Sequence, residues 1–172
     1  LVYMPQTSHV GVSQRIDDQE ERSRLQELLS EGLALEDMEV QGGYILRTVA
    51  EGVGMEEIRA DLRYLKRLWA AVSRRASAAT QPQLIYSELP LHMRTVRDLA
   101  RPGVQRIYVD SREAHDALRQ FCEDYVPEVA GLLHHYSGER PLFELHGVED
   151  EIQRALKRKV DLKSGGYLIV DQ

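Results

Sequence analysis

Hydrophobic and polar positions alternate along this chain in two rhythms, one of period two and one near 3.6, and the switches between them mark its elements. Leu1-Val2-Tyr3-Met4 is an apolar run stopped by Pro5, and residues 11–16 alternate like a short strand. Residues 17–39 read as a helix around Leu25, Leu28 and Leu29, with a loop from Gly32 onward. Gln41-Gly42-Gly43 then turns into Tyr44-Ile45-Leu46-Arg47-Thr48, a buried type of strand that ends in two polar groups. A loop at 51–54 leads into the clearest helix of the chain. In it Ile58, Leu62, Leu65, Trp69, Val72 and Ala76 recur at four- and three-residue spacing, which places them on one face. Arg59, Arg63, Lys66, Arg67, Arg74 and Arg75 occupy its other faces.

Residues 77–83 (Ser, Ala, Thr, Gln and Pro) have linker composition and divide the chain. Beyond them the pattern predicts a short strand at 84–86, a helix over 91–100 stopped at Arg101-Pro102-Gly103, and a strand at 104–109. Asp110, with Glu113 three residues on, has the spacing of a capping box for a helix carrying Ala114, Leu118, Phe121, Cys122 and Tyr125. Strand, helix and the apolar run 132–136 together predict an α/β unit. A last helix over 148–156 passes into Lys157-Arg158-Lys159, and Ser164-Gly165-Gly166 turns into a final strand, Tyr167-Leu168-Ile169-Val170. Both ends of the chain read as strands, which predicts a section cut from a larger protein, with chemistry lying outside it.

Composition refines this picture. The 172 residues carry 22 Lys+Arg and 28 Asp+Glu, a net charge of −6, which argues against an indiscriminate nucleic-acid binder. Yet residues 17–39 hold nine acids against Arg22 and Arg24, a local charge of −7 that leaves the remainder at +1. The acidity is local and does not exclude RNA. The single cysteine, Cys122, rules out an internal disulfide framework and suits a reducing cytoplasm, so a cytoplasmic location is expected. No apolar run approaches the roughly 18 residues of a membrane span.

Arg47-Thr48, followed by Gly52, Gly54 and a helix, is the strongest local candidate for chemistry. A guanidinium and a hydroxyl at a strand end can bind an anion, with glycine N–H groups and a helix N-terminus behind them. The spacing does not match the Gly-Lys-Ser/Thr phosphate loop. His134, His135 and His146 could be assembled into a metal site only if adjacent strand residues faced the same way, which they do not, so structural or surface histidines are expected. Cys122 reads as a buried thiol, and Asp171 has the position of a metal carboxylate without a second one near it. The basic face from Arg59 to Arg75 and the cluster from Arg154 to Lys163 are either solvated surface or contacts to a nucleic-acid backbone.

Leu1-Val-Tyr-Met-Pro5, the segment 9–16 (His-Val-Gly-Val-Ser-Gln-Arg-Ile), the segment 45–54 (Ile-Leu-Arg-Thr-Val-Ala-Glu-Gly-Val-Gly), Asp61 through Trp69 and Glu149 through Gln172 resemble the ribonuclease E/G family of bacterial endoribonucleases. The resemblance covers essentially the whole chain. It implies an α/β (α+β) chain divided into a 5′-sensor domain over 1–85, a ribonuclease-H-like domain over 86–155, and the first strands of a deoxyribonuclease-I-like catalytic domain over 156–172. It also implies that Arg47 and Thr48 bind the 5′-monophosphate of single-stranded RNA, that Val2 packs by the terminal nucleotide, and that Arg15 has an RNA-binding role. The catalytic carboxylates that bind Mg²⁺ would lie after Gln172, and Asp171 matches none of them. Mg²⁺ then belongs to the parent enzyme and none is bound by this section, which is inactive alone. The parent would be a homo-oligomeric endoribonuclease of rRNA 5′ maturation and mRNA decay. Two other readings stay open: a stand-alone, non-catalytic RNA-binding module, and a helical scaffold docking a protein through the Ile58 to Ala76 face.

Overall fold

The computed structural model describes residues 1–36, 42–100 and 102–171, which form two units, Leu1–Leu89 and Pro90–Gln172. Asp37 and Glu39 of the acidic segment, the turn position Gln41, Arg101 of the helix stop and the terminal Gln172 lie outside the described residues. Helices and short strands mix throughout, in keeping with the expected α/β class. No helix among the described residues is long and apolar enough to cross a membrane.

The first unit is built on a three-stranded sheet of order β1-β3-β2, from β1 (Val2–Met4), β2 (Val10–Val12) and β3 (Gly43–Leu46). Strand β1 runs antiparallel to β3 with Val2 opposite Ile45; β2 runs parallel to it with Gly11 beside Ile45. Successive side chains alternate between the faces. Tyr44 and Leu46 therefore face a core with Ile16, Leu25, Leu29, Leu33, Ile58 and Leu62, and Leu1, Tyr3, Val10 and Val12 pack against it. Val2, Met4, Gly11 and Ile45 line the opposite face, which stays half-buried or exposed. The predicted strand at 11–16 is thus displaced: it ends at Val12, and Ile16 turns back into the core.

Two helices cover the core face. Helix α1 (Gln19–Leu35) starts at Asp18, whose carboxylate accepts the Glu20 N–H at 2.9 Å. Leu25, Leu29 and Leu33 project from it at four-residue spacing into the core. The predicted loop from Gly32 is corrected: the helix runs through Gly32 to Leu35. Gly32 serves close packing there, since a Cβ on it would lie 3.2 Å from Leu62 Cδ1 and 3.4 Å from Ile58 Cγ2. Helix α2 (Met55–Ala78) buries Ile58 and Leu62 as expected, each contributing about 1.5–3 kcal/mol. Its stripe does not stay covered. At 17 residues, α1 is too short to follow all 24 of α2, so Ala76 is exposed and Trp69 is 41 % exposed. Tyr64 and Ala71, off the predicted stripe, are buried.

In the second unit the predicted α/β element forms. Strands β4 (Ile107–Val109) and β5 (Leu133–His135) pair in parallel, with α4 (Arg112–Tyr125) and the short α5 (Pro127–Ala130) between them in sequence. Leu118, Phe121, Cys122 and Tyr125 are buried on α4 as expected. The predicted capping box at Asp110 is corrected by one residue: Ser111 is the cap, its hydroxyl accepting the Ala114 N–H at 3.2 Å. Helix α3 (Leu91–Leu99) forms, whereas the predicted strand at 84–86 does not; it has no pairing partner among the described residues and Leu84 is 81 % exposed. Helices α6 (Leu142–Leu145) and α7 (Val148–Ala155) follow, and β6 (Lys159–Asp161) pairs antiparallel with β7 (Tyr167–Ile169).

Candidate functional site

The candidate residues meet at one end of the first unit's sheet. The Ser13 N–H donates to Leu46 O at 2.8 Å, which extends the β2–β3 ladder past both strands. Arg47 follows with extended backbone (φ −91°, ψ 170°), so the alternation of faces continues and Arg47 lies on the same side as Ile45 and Val2. At Thr48 the chain leaves the strand for a single 3₁₀ turn, Thr48–Ala50, closed by the Ala50 N–H on Arg47 O at 2.9 Å. The predicted strand thus stops at Leu46, and Arg47 and Thr48 stand at its open end, both exposed.

Arg15 reaches this end by a different route. The Arg22 guanidinium donates to Ser13 O at 2.6 Å and to Ile16 O at 3.3 Å, pinning the turn between β2 and α1. Buried Ile16 anchors that turn, and Arg15 beside it points to solvent. Val2 is 37 % exposed in β1, across from Ile45. The register therefore gathers Arg47, Thr48, Val2 and the Arg15 turn at one sheet end. Neither Arg47 nor Arg15 has an ion-pair partner among the described residues.

One part of the sequence reading is corrected. The glycine N–H groups after Arg47-Thr48 are not available to a ligand: Gly52 donates to Glu21 Oε1 at 2.8 Å and Gly54 to Glu57 Oε2 at 3.2 Å. Glu21 is itself gripped by Arg24 through two bonds of 2.6 Å, while Arg24 also donates to Val53 O at 3.0 Å. The Arg24 guanidinium and then the Gly52 N–H hold the Glu21 carboxyl down at about 2. Glu21 is a clamp from α1 onto the loop behind the site. Nothing local in the sequence reveals it, because its partner lies 31 residues away.

The remaining candidates separate from this cluster. On α2, Arg59 and Arg63 bind Glu36 at 2.7 and 3.0 Å, and Lys66 donates to Glu36 O at 3.2 Å, so this part of the basic face is tied to the end of α1. In the Arg154 to Lys163 cluster, Arg154 pairs with Glu151, Lys159 with Asp161 and Arg158 with Asp171. The two adjacent histidines diverge as expected: His134 stacks near Tyr108 (5.8 Å) and His135 against His115 (5.7 Å). Among the described residues no group of three or more His, Cys, Asp or Glu could hold a metal ion. Cys122 is fully buried, and burial pushes its thiol up to about 11.

Comparison with known proteins places the chain in a family. The sequence model of the Ribonuclease E/G family matches residues 1–172. Ribonuclease G of Escherichia coli K12 is 50% identical over 172 residues, covering 100% of this chain and 34% of that protein. Ribonuclease G of Haemophilus influenzae is 43% identical over the same span, and Ribonuclease E of that organism is 32% identical over 99% of this chain and 18% of its own length. The chain spans about a third of the length of the ribonuclease G relatives it matches. With a family match over its full length and half of its residues shared with one such relative, this chain belongs to the ribonuclease E/G family.

Proposed function

We propose that this chain is the 5′-end-sensing part of an endoribonuclease, with Arg47 and Thr48 binding the 5′-monophosphate of single-stranded RNA. The observation that carries the reading is an exposed arginine, without an ion-pair partner among the described residues, next to a hydroxyl at the sheet end that also holds Val2 and the Arg15 turn. In a protein where Arg24, Arg59 and Arg63 all hold carboxylates, this guanidinium is left for an external anion. Arg47 would donate charge-assisted bonds to a terminal phosphate oxygen and Thr48 a hydroxyl bond. A 5′-hydroxyl end carries no charge and a single neutral acceptor in place of the phosphate oxygens, and a triphosphate overfills a cluster of two donors. Val2 would pack beside the terminal nucleotide, and Arg15 would contact the backbone next to it.

On this reading residues 1–85 form the 5′-sensor, 86–155 a ribonuclease-H-like domain and 156–172 the start of a deoxyribonuclease-I-like domain. The whole enzyme would be a cytoplasmic homo-oligomer that cuts RNA with Mg²⁺ in rRNA 5′ maturation and mRNA decay. The residues described here do not fit a Mg²⁺ site: Asp171 is paired with Arg158, and no cluster of carboxylates accompanies it. No cleavage step is therefore placed on them, and the chain by itself should show no Mg²⁺-dependent cutting of a 5′-monophosphorylated oligonucleotide. The sensing reading is tested by anisotropy on 3′-labelled RNA ten-mers with 5′-monophosphate or 5′-hydroxyl ends. Arg47→Ala should erase the preference for the monophosphate, and an unchanged preference would overturn the site.

A further inference from the structure

One exposed side chain on the open face of the sheet has no role in that reading. His9 precedes β2, and its ring lies over Gly11: a Cβ on Gly11 would sit 2.7 Å from His9 Nε2 and 3.3 Å from Cε1. The absence of a side chain at Gly11 is what lets the imidazole lie against the sheet. Gly11 is beside Ile45, which is opposite Val2. Arg47 follows two residues along the same face, about 7 Å further on at the rise of a strand. The ring is thus held over a strip made by Gly11, Ile45 and Val2, and Arg47 follows on the same face two residues beyond Ile45. Its backbone is fixed as well, since His9 O accepts the Tyr44 N–H at 2.8 Å. The ring itself makes no hydrogen bond or ring contact among the described residues and is exposed.

We propose that His9 is a nucleobase-stacking residue: its imidazole receives the base of the 5′-terminal nucleotide when Arg47 and Thr48 hold the phosphate. This rests on the sensing reading above and adds to it a binding surface for the base. The strip supplies what a nucleoside needs beside a bound phosphate. Val2 and Ile45 form an apolar floor, the imidazole is a flat π surface, and Arg47 lies about 7 Å beyond Ile45 on the same face. A stacking surface accepts any base because every base has a π face, so the site would favour monophosphorylated ends without reading sequence. The preference between first bases would follow stacking strength, with purines ahead of pyrimidines.

A double-mutant cycle tests this on the chain, using 3′-labelled ten-mer RNAs with a 5′-monophosphate and either adenosine or an abasic residue at the first position. His9→Ala should weaken binding of the adenosine RNA by roughly five- to tenfold and leave the abasic RNA unaffected. His9→Phe, which keeps a flat ring, should restore most of the loss. Gly11→Ala, which touches no RNA atom but pushes the imidazole off the strip, should reproduce the His9→Ala effect while the melting temperature holds. An equal loss on adenosine and abasic RNA would overturn the stacking role, as would failure of phenylalanine to rescue. If His9→Ala changes nothing while Arg47→Ala still erases the monophosphate preference, the His9 proposal falls and the sensing reading stands. If Arg47→Ala leaves that preference intact, the sensing reading falls and takes the His9 role with it.

Discussion

The arginines of the helix seam and those of the sheet end share one chemistry and have opposite surroundings. Along the seam, Arg24 grips Glu21 and holds Val53 O, and Arg59 and Arg63 converge on Glu36, whose side chain is 13 % exposed. At the sheet end, Arg47 and Arg15 stand in solvent with no carboxylate in reach among the described residues. Folding can satisfy a guanidinium with internal acids wherever α1 supplies them, and α1 carries many. Among the described residues the same fold leaves Arg47 without an ion-pair partner, one residue past a strand that is otherwise buried, which separates an exposed cation from those used to join helices. The distinction matters because a count of basic residues treats the two alike, and the seam accounts for much of the basic face that the sequence offers.

The largest expected effect tests whether the two regions are physically joined. Leu25 is fully buried between the helices and the sheet, and Leu25→Ala should cost about 2–5 kcal/mol in chemical denaturation. Because the sheet end is held by the packing behind it, RNA binding should fall with stability; binding that survives a collapsed core would separate the regions. A sharper contrast comes from pairing Arg47→Ala with Arg59→Ala. The first should weaken binding of monophosphorylated RNA about ten- to a hundredfold, the range for a lost bond to a charged group, with the unfolding midpoint unchanged. The second should do the reverse, lowering stability and leaving the preference between RNA ends alone. A loss of stability in Arg47→Ala would mean that this arginine, too, is structural.

How far the sequence reading reached follows the same division. Local periodicity located β1, β3, α2, α3, α4 and α7, and it placed Leu118, Phe121 and Cys122 inside, because burial on one face imposes a pattern on neighbours in sequence. It failed where distant partners decide. Gly32 looks like a loop residue until Leu62 and Ile58 are packed against it, and Trp69 looks like core until α1 proves too short to cover it. In the site, Arg47-Thr48 is legible as a polar pair ending an apolar strand. The Glu21 clamp on Gly52 is not, since it joins residues on different elements. Nor is the His9 ring over Gly11, which depends on which way one ring leans.

A smaller effect is expected at the acid on which two seam arginines meet. Burial raises the Glu36 carboxyl, but Arg59 and Arg63 outweigh it and the net shift is downward, so the acid stays ionised in the fold. Glu36→Gln keeps the size and removes the charge. The loss should be about 1 kcal/mol, in the range of a partly exposed charged hydrogen bond, and it should shrink in high salt. The double change Glu36→Gln with Arg59→Ala should cost little more than either alone, because both remove the same interaction. Additive losses would mean that the arginine and the acid act independently and that the seam is not the unit described.

The least conspicuous effect lies in the pH dependence of the loop behind the site. Glu21 sits at about 2 in the fold against an ordinary 4.5, held down first by Arg24 and then by the Gly52 N–H. A group whose folded value is depressed adds stability that is present above its unfolded value and is lost as pH falls toward the folded one. The contribution of Glu21 should therefore be full at pH 7, decline from about pH 4.5 and be gone near pH 2. Glu21→Gln removes the proton-linked part and can still accept the Gly52 N–H. The melting-temperature gap between the native chain and this variant should be widest at neutral pH and close as the solution is acidified through that window. A gap that stays constant to pH 2 would show that Glu21 holds the loop by shape alone. A gap that closes would show that the ionised Glu21 carboxylate, gripped by Arg24, is what ties α1 to the Gly52 N–H.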